Sequence, residues 1–142
     1  MNNFLQQLLS DAPDAILAAD RNGIILYWNR GAEQIFGHAA DRAVGQSLDL
    51  IIPENLRGRH WEGYKRVMAS GETKYTTGLL SSPGVTKDGG RVSLEFSIVL
   101  LRDVAGAMSG CGTVMRDVTE RWLKEKELKA RLSACEAGQG KG

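Results

Sequence analysis

The sequence has 142 residues, 42% of them hydrophobic and 25% charged, which suits one soluble domain with a sizeable core and is too short for two. A net charge of +1 leaves no electrostatic case for nucleic acid or an anionic membrane surface, and no apolar run is long enough to span a bilayer. The opening Met1-Asn2-Asn3-Phe4-Leu5 carries neither the basic region nor the apolar stretch of a secretory signal, so a cytoplasmic chain with Cys111 and Cys135 as reduced thiols is expected. Two Cys and two His, far apart, build no zinc site.

Residues 2–10 place Phe4, Leu5, Leu8 and Leu9 on one side of an amphipathic helix, which ends ahead of Pro13. Ala15–Ala19 and Ile24–Trp28 read as strands joined by Asp20-Arg21-Asn22-Gly23, whose Asn-Gly pair favours a hairpin turn. One of Tyr27 and Trp28 is expected in the core and the other against the terminal helices. Asn29 is placed to cap a short helix from Gly31 to Phe36, and Gly37 to end it. Residues 38–52 suggest two further short helices around Gly45, the second capped by Ser47, with His38 in solvent and not a ligand. Pro53-Glu54 opens a longer helix that runs to about Ser70 and stops at Gly71.

Three strands are expected next. The first lies near Lys74–Leu80 and is followed by a loop through Ser81-Ser82-Pro83-Gly84 and a turn at Lys87-Asp88-Gly89-Gly90. In Arg91–Leu101 the apolar residues Val92, Leu94, Phe96, Ile98 and Leu100 alternate, and Gly110–Arg116 forms the last strand. Asp117-Val118-Thr119-Glu120 has the spacing of a capping box and starts a helix reaching about Ala134. Trp122, Leu123, Leu128, Leu132 and Cys135 give that helix a seam for a partner helix. The organisation is a flanking helix at 1–10, a domain at 11–119, a signalling helix at 120–136 and a disordered tail at 137–142. Two early strands and three late ones make one five-stranded antiparallel sheet, with short helices covering one face: an α+β architecture. Neither a nucleophile elbow nor a P-loop nor a metal-binding pattern is present, so no enzyme is expected.

Several segments in this order resemble the PAS family. They are Ala12-Pro13-Asp14-Ala15-Ile16, Asp20-Arg21-Asn22-Gly23-Ile24-Ile25, Trp28-Asn29-Arg30-Gly31-Ala32-Glu33 and Phe36-Gly37. They continue with Gly45-Gln46-Ser47, Ile52-Pro53-Glu54, Lys87-Asp88-Gly89 and Arg116-Asp117-Val118-Thr119-Glu120, so the likeness covers roughly residues 8–121. It implies a PAS fold, a sensory role, a homodimer formed through terminal helices, and an output domain or partner protein such as a kinase, cyclase or transcription regulator. It also implies a small-molecule or gas ligand in the core, or alternatively a cofactor-free dimerisation module. Asp117, Thr119 and Glu120 then carry the signal from sheet to exit helix.

Individual residues separate the subtypes. LOV-type flavin photosensors carry a cysteine where this chain has Gly45-Gln46-Ser47-Leu48-Asp49-Leu50, so no flavin adduct is expected. The run from Pro53 to Arg66 is similar to the haem-binding helix of FixL-type oxygen sensors, and the resemblance makes His60 the ligand of haem b iron. A neutral imidazole is a good axial ligand, and Gly63 three residues on leaves room for a flat macrocycle, with Tyr64 beside it. Arg66 and Lys74 would meet the propionates, and Phe96 and Ile98 would line the distal wall. Leu80 stands where those sensors place an arginine that holds oxygen, which leaves CO, NO or redox sensing equally open. The other reading of His60 is structural, with its ring hydrogen-bonded to backbone or solvent and the cavity closed by Trp61, Tyr64 or Tyr75. Gly63, with Gly78, Gly110 and Gly112 opposite, favours reserved space.

Overall fold

In the computed structural model, which describes residues 2–73 and 78–139, the first amphipathic segment is a helix, α1 (Asn2–Asp11). The hairpin follows as β1 (Ala15–Asp20) and β2 (Ile25–Trp28), antiparallel, with Gly23 in its turn at φ +77°. A Cβ at Gly23 would also lie 2.1 Å from the Trp61 ring, so glycine is required there for conformation and for space. Helix α2 (Arg30–Phe36) is capped at both ends. Asn29 Oδ1 accepts from the Ala32 amide at 2.9 Å, and Gly37 leaves the helix at φ +84°. Then come α3 (Ala40–Ala43), a 3-10 turn at Leu48–Leu50 capped by Ser47, and a second 3-10 turn at Glu54–Leu56. The latter leads into α4 (Arg57–Ser70), which Gly71 ends at φ +69°.

Strands β3 (Leu80–Val85), β4 (Arg91–Arg102) and β5 (Met108–Asp117) complete one five-stranded antiparallel sheet in the order β2-β1-β5-β4-β3. The α+β class therefore stands, but β3 begins at Leu80, where the first of the late strands was expected to end. Residues Ser81 to Gly84, expected as a loop, are its body. Pro83 fits because β3 is an edge strand, where a missing amide hydrogen breaks no ladder. Gly84 fits because a Cβ there would come within 2.8 Å of Leu94 and 3.3 Å of Phe36. Residues 74–77 of the expected strand, with Lys74 and Tyr75, lie outside the described residues.

The core sits between the sheet and α2. Phe36 and Ile25 are fully buried, with Leu17, Trp28, Leu48, Ile51, Leu94 and Met115 around them. Ala15, Ala19, Ala32 and Ala43 keep the layers close. Trp28 takes the core position and donates from Nε1 to the His38 carbonyl at 2.9 Å, while Tyr27 is half-buried near Asp11 of α1. His38, expected in solvent, is half-buried because its ring stands edge-on to Trp28 at 6.3 Å. Helix α5 (Thr119–Gln139) runs past Ala134, and residues 137–139, expected in a disordered tail, continue it. No helix among the described residues is long and apolar enough to cross a membrane.

Candidate ligand-binding cavity

The sheet register lays out a floor. One row runs Leu80, Phe96, Met115, Ala15 across four strands, and the next runs Ile98, Thr113, Leu17. Side chains on one face of neighbouring strands stand together, so these rows form a nearly apolar surface. Helix α4 lies above it. Between them is a cavity of about 850 Å³, lined from the helix side by Leu56, His60, Gly63, Tyr64 and Val67 and from below by Leu94, Phe96, Ile98, Cys111, Thr113 and Met115. That volume is in the range that holds small-molecule ligands and cofactors.

Helix α4 is held by polar tethers at its edges and by Trp61 and Tyr64, which pack half-buried against the core. Of its residues only Met68 is buried. Trp61 Nε1 donates to Asp49 Oδ1 at 2.7 Å, Arg57 donates to the carbonyls of Ile52 and Asp49 at 3.1 and 3.2 Å, and Tyr64 Oη donates to the Asp20 carbonyl at 2.5 Å. Burial raises the Tyr64 phenol far above its ordinary range, with Cys111 and Asp20 adding to it, so its hydroxyl keeps its proton and its bond.

His60 is half-buried, and its Nδ1 is sealed from solvent without a hydrogen-bond partner. Burial lowers its pKa, against a smaller opposing effect of Asp49, so the imidazole is neutral at pH 7. Its ring packs edge-on against Trp61 at 4.7 Å and tilted against Tyr64 at 5.8 Å. Its Nδ1 thus makes no hydrogen bond to backbone among the described residues, and Trp61 and Tyr64 do not close the cavity. A Cβ on Gly63 would meet nothing within 4 Å, which is open space over the floor.

The remaining site residues divide. Leu80, Phe96 and Ile98 line the cavity, and Arg66 lies at its rim, exposed and paired with Glu62 at 3.5 Å. Lys74 lies outside the described residues. Gly110 and Gly112 do not thin the floor, because the face of β5 toward the cavity is Cys111, Thr113 and Met115. Gly110 instead permits the approach of β1: a Cβ there would sit 2.1 Å from the Ala19 carbonyl. Gly78 is not in the lining either. Sequence reasoning missed Arg59, Thr113, Met115 and the place of Cys111, although the period-two spacing of the last three on a strand is the signal for a shared face. The Cys111 thiol is pushed up to about 11 by burial, so it stays protonated and inert.

A family described as the PAS fold matches residues 9–122, most of the chain. This chain belongs to the PAS family. It is 26% identical over 133 residues to the sensor protein FixL of Bradyrhizobium diazoefficiens, a match covering 94% of this chain and 25% of that protein. The chain thus spans about a quarter of that relative's length. Among solved structures, the PAS domain of a protein from Colwellia psychrerythraea superposes with a TM-score of 0.72 at 20% identity, covering 84% of this chain and 98% of that one. An RNA-binding light-oxygen-voltage receptor gives a TM-score of 0.76 at 23% identity, covering 94% of this chain and 37% of that one.

In this PAS domain the sheet is joined to α5 by a compact polar junction. Asp117 Oδ1 accepts from the Thr119 amide at 2.9 Å, and the Thr119 hydroxyl accepts from the Ser93 amide at 2.9 Å. The Val118 amide closes the loop onto the Ser93 carbonyl at 2.8 Å, and Arg121 pairs with Glu95. The reciprocal capping box does not form. Asp117 caps the helix, but Glu120 turns away from it to pair with Lys124 at 3.3 Å, one turn on.

Proposed function

We propose that this PAS domain is a sensory module whose cavity takes haem b on His60 and whose terminal helices pass the ligand state to an output domain or partner protein. The observation that carries the reading is the neutral His60, its buried Nδ1 without a partner, at an apolar cavity of about 850 Å³. The residues present fit a flat macrocycle. Gly63 offers open space beside His60, and Phe96 and Ile98 offer an apolar wall. Haem b, when bound, supplies an iron centre for a diatomic gas or a redox change.

The chain's own residues bear on which gas is read. Leu80 donates no hydrogen bond, the Thr113 hydroxyl is committed to the Ser97 carbonyl at 2.8 Å, and Tyr64 is committed to Asp20. None of these three groups steadies a bound oxygen, so CO, NO or redox sensing stands equal with oxygen sensing. No flavin adduct is proposed, since no cysteine stands in the Gly45–Leu50 segment. Reconstitution with haemin tests the reading. A Soret band that disappears in His60→Ala is expected; absence of the band, or its survival in that variant, refutes it.

The output reading rests on the exposed stripes of the terminal helices. Phe4, Leu5, Leu8 and Leu9 on α1 and Trp122, Leu123, Leu128 and Leu132 on α5 all face solvent. A symmetric homodimer would bury both stripes. Sedimentation of the intact chain is expected to give a dimer that weakens when residues 1–10 are removed; monomer in both excludes it. Asp117, Thr119 and Glu120 are proposed as the signalling junction, tested by Asp117→Ala in a protein that carries the output. An unchanged ligand response there removes the junction from the signal path. A cofactor-free dimerisation module is the second reading, favoured by the same stripes if haemin leaves no Soret band.

A further inference from the structure

We propose that the rim of the cavity is a carboxylate clamp, built from Arg59 and Arg66, that selects ligands with an apolar body and an acidic end. The proposal rests on the reading that the cavity holds a ligand, but not on that ligand being haem. Arg59, Gly63 and Arg66 follow one another at four and three residues, so they lie along one face of α4. All three line the cavity. Their backbone positions are therefore about 10 Å apart along the helix axis, on either side of Gly63.

Arg59 makes no hydrogen bond and no ion pair among the described residues, unlike Arg57 two residues back toward the 3-10 segment, which is tied to Asp49 and Ile52. Arg66 holds only Glu62, at 3.5 Å, with both side chains more than two-thirds exposed at 71% and 74%. An exposed pair of that kind exchanges readily for a better acceptor. Among the described residues Glu72 is the one carboxylate in the lining, and it follows Gly71 at the opposite end of α4 from Arg59. His60 is neutral and adds no charge. The floor of Leu17, Leu94, Phe96, Ile98 and Met115 has none either.

A mouth with an unspent cation over an apolar interior suits an amphipathic acid. The fork of an arginine holds a carboxylate through two parallel hydrogen bonds, while its stem stays on the apolar wall. A neutral ligand of the same shape would gain the floor and forgo the rim. Both a porphyrin with acidic side chains and an open-chain fatty acid share this chemistry.

Calorimetric titration of the full chain separates the two sources. One arm compares decanoate with decanol, and the other compares haemin with its dimethyl ester, each followed by its Soret absorbance. Each acid is expected to bind roughly tenfold or more tightly than its neutral partner, the size of a hydrogen bond to a charged group. Arg59→Gln should remove most of that preference, Arg59→Gln with Arg66→Gln all of it, and Gly63→Leu should abolish binding altogether. Equal affinities, no binding of either acid, a preference that survives the double variant, or acid binding that survives Gly63→Leu would overturn the clamp. A decanoate preference without a Soret band leaves the clamp standing and refutes haem. A Soret band with no preference for haemin over its ester does the reverse.

Discussion

Where α2 lies over β1 and β2, Phe36 and Ile25 are exposed by 0% and 1%, and small residues let helix and sheet meet. There, too, a buried polar residue is fully used. Asn29, 3% exposed, accepts from the amides of Ile16 and Ala32 and donates to the carbonyls of Leu9 and Asp14 at 2.8 and 3.0 Å. Helix α4 has 14 residues against the 7 of α2, yet it buries one of them and stands off the sheet on tethers. A helix anchored through its polar edges can keep a space beneath it that close packing would fill. The first half of the domain is thus a scaffold, and the second a frame around a cavity.

Substitutions can break or sharpen that contrast. The largest effect should come from Phe36→Ala, about 3–5 kcal/mol of destabilisation in urea unfolding, since a sealed core cannot collapse around the void. A loss below about 1 kcal/mol would mean that the scaffold is not the rigid half. Asn29→Ala comes next. It strands two amides and frees α1 from the domain, and roughly 2–3 kcal/mol should be lost by the same measurement. If the loss matched that of an ordinary cap, about 1 kcal/mol, the tie to α1 would carry nothing.

In the frame the expected effects are smaller. Tyr64→Phe removes only the bond to the Asp20 carbonyl and should cost about 1 kcal/mol. Amide exchange in α4 should rise more than in α2; an equal rise in both would show that the tether holds the whole domain. The pH dependence follows from His60. Its pKa is lower folded than unfolded, so the unfolded chain binds more protons in mild acid. Stability should be full above the ordinary histidine pKa of about 6.5 and fall as the pH drops toward the folded value. His60→Gln should flatten that slope, and an unchanged slope would assign it to another group. Last, Gly63→Leu replaces a helix glycine over open space, so stability should hold or rise by up to about 1 kcal/mol. Marked destabilisation would mean the space is not there.

Much of the scaffold is legible in the sequence alone. Asn29, Gly37, Ser47 and Gly71 act locally as caps, and local chemistry needs no tertiary partner. The hairpin turn and the alternation in β4 were legible for the same reason. The stretch Ser81 to Gly84 was not, because proline and glycine mark a turn in isolation and an edge strand only once a sheet has an edge.

The site shows the same division. Helical spacing alone put His60 and Gly63 on one face, since a helix sets its faces by its period. What lay opposite them depended on the pairing of β5 with β1 and β4, which put Cys111, Thr113 and Met115 toward the cavity and Gly110 and Gly112 away from it. Likewise a capping-box spacing can be written in four residues, but the Thr119 hydroxyl went to Ser93, 26 positions earlier in the chain. Sequence determined what each segment would do by itself: its period, its caps, its turns. Tertiary structure alone decided which faces met, how much space they left, and that the Nδ1 of His60 would be sealed without a partner. Those depend on groups far apart in the chain, and burial and hydrogen bonding are set only when such groups arrive together.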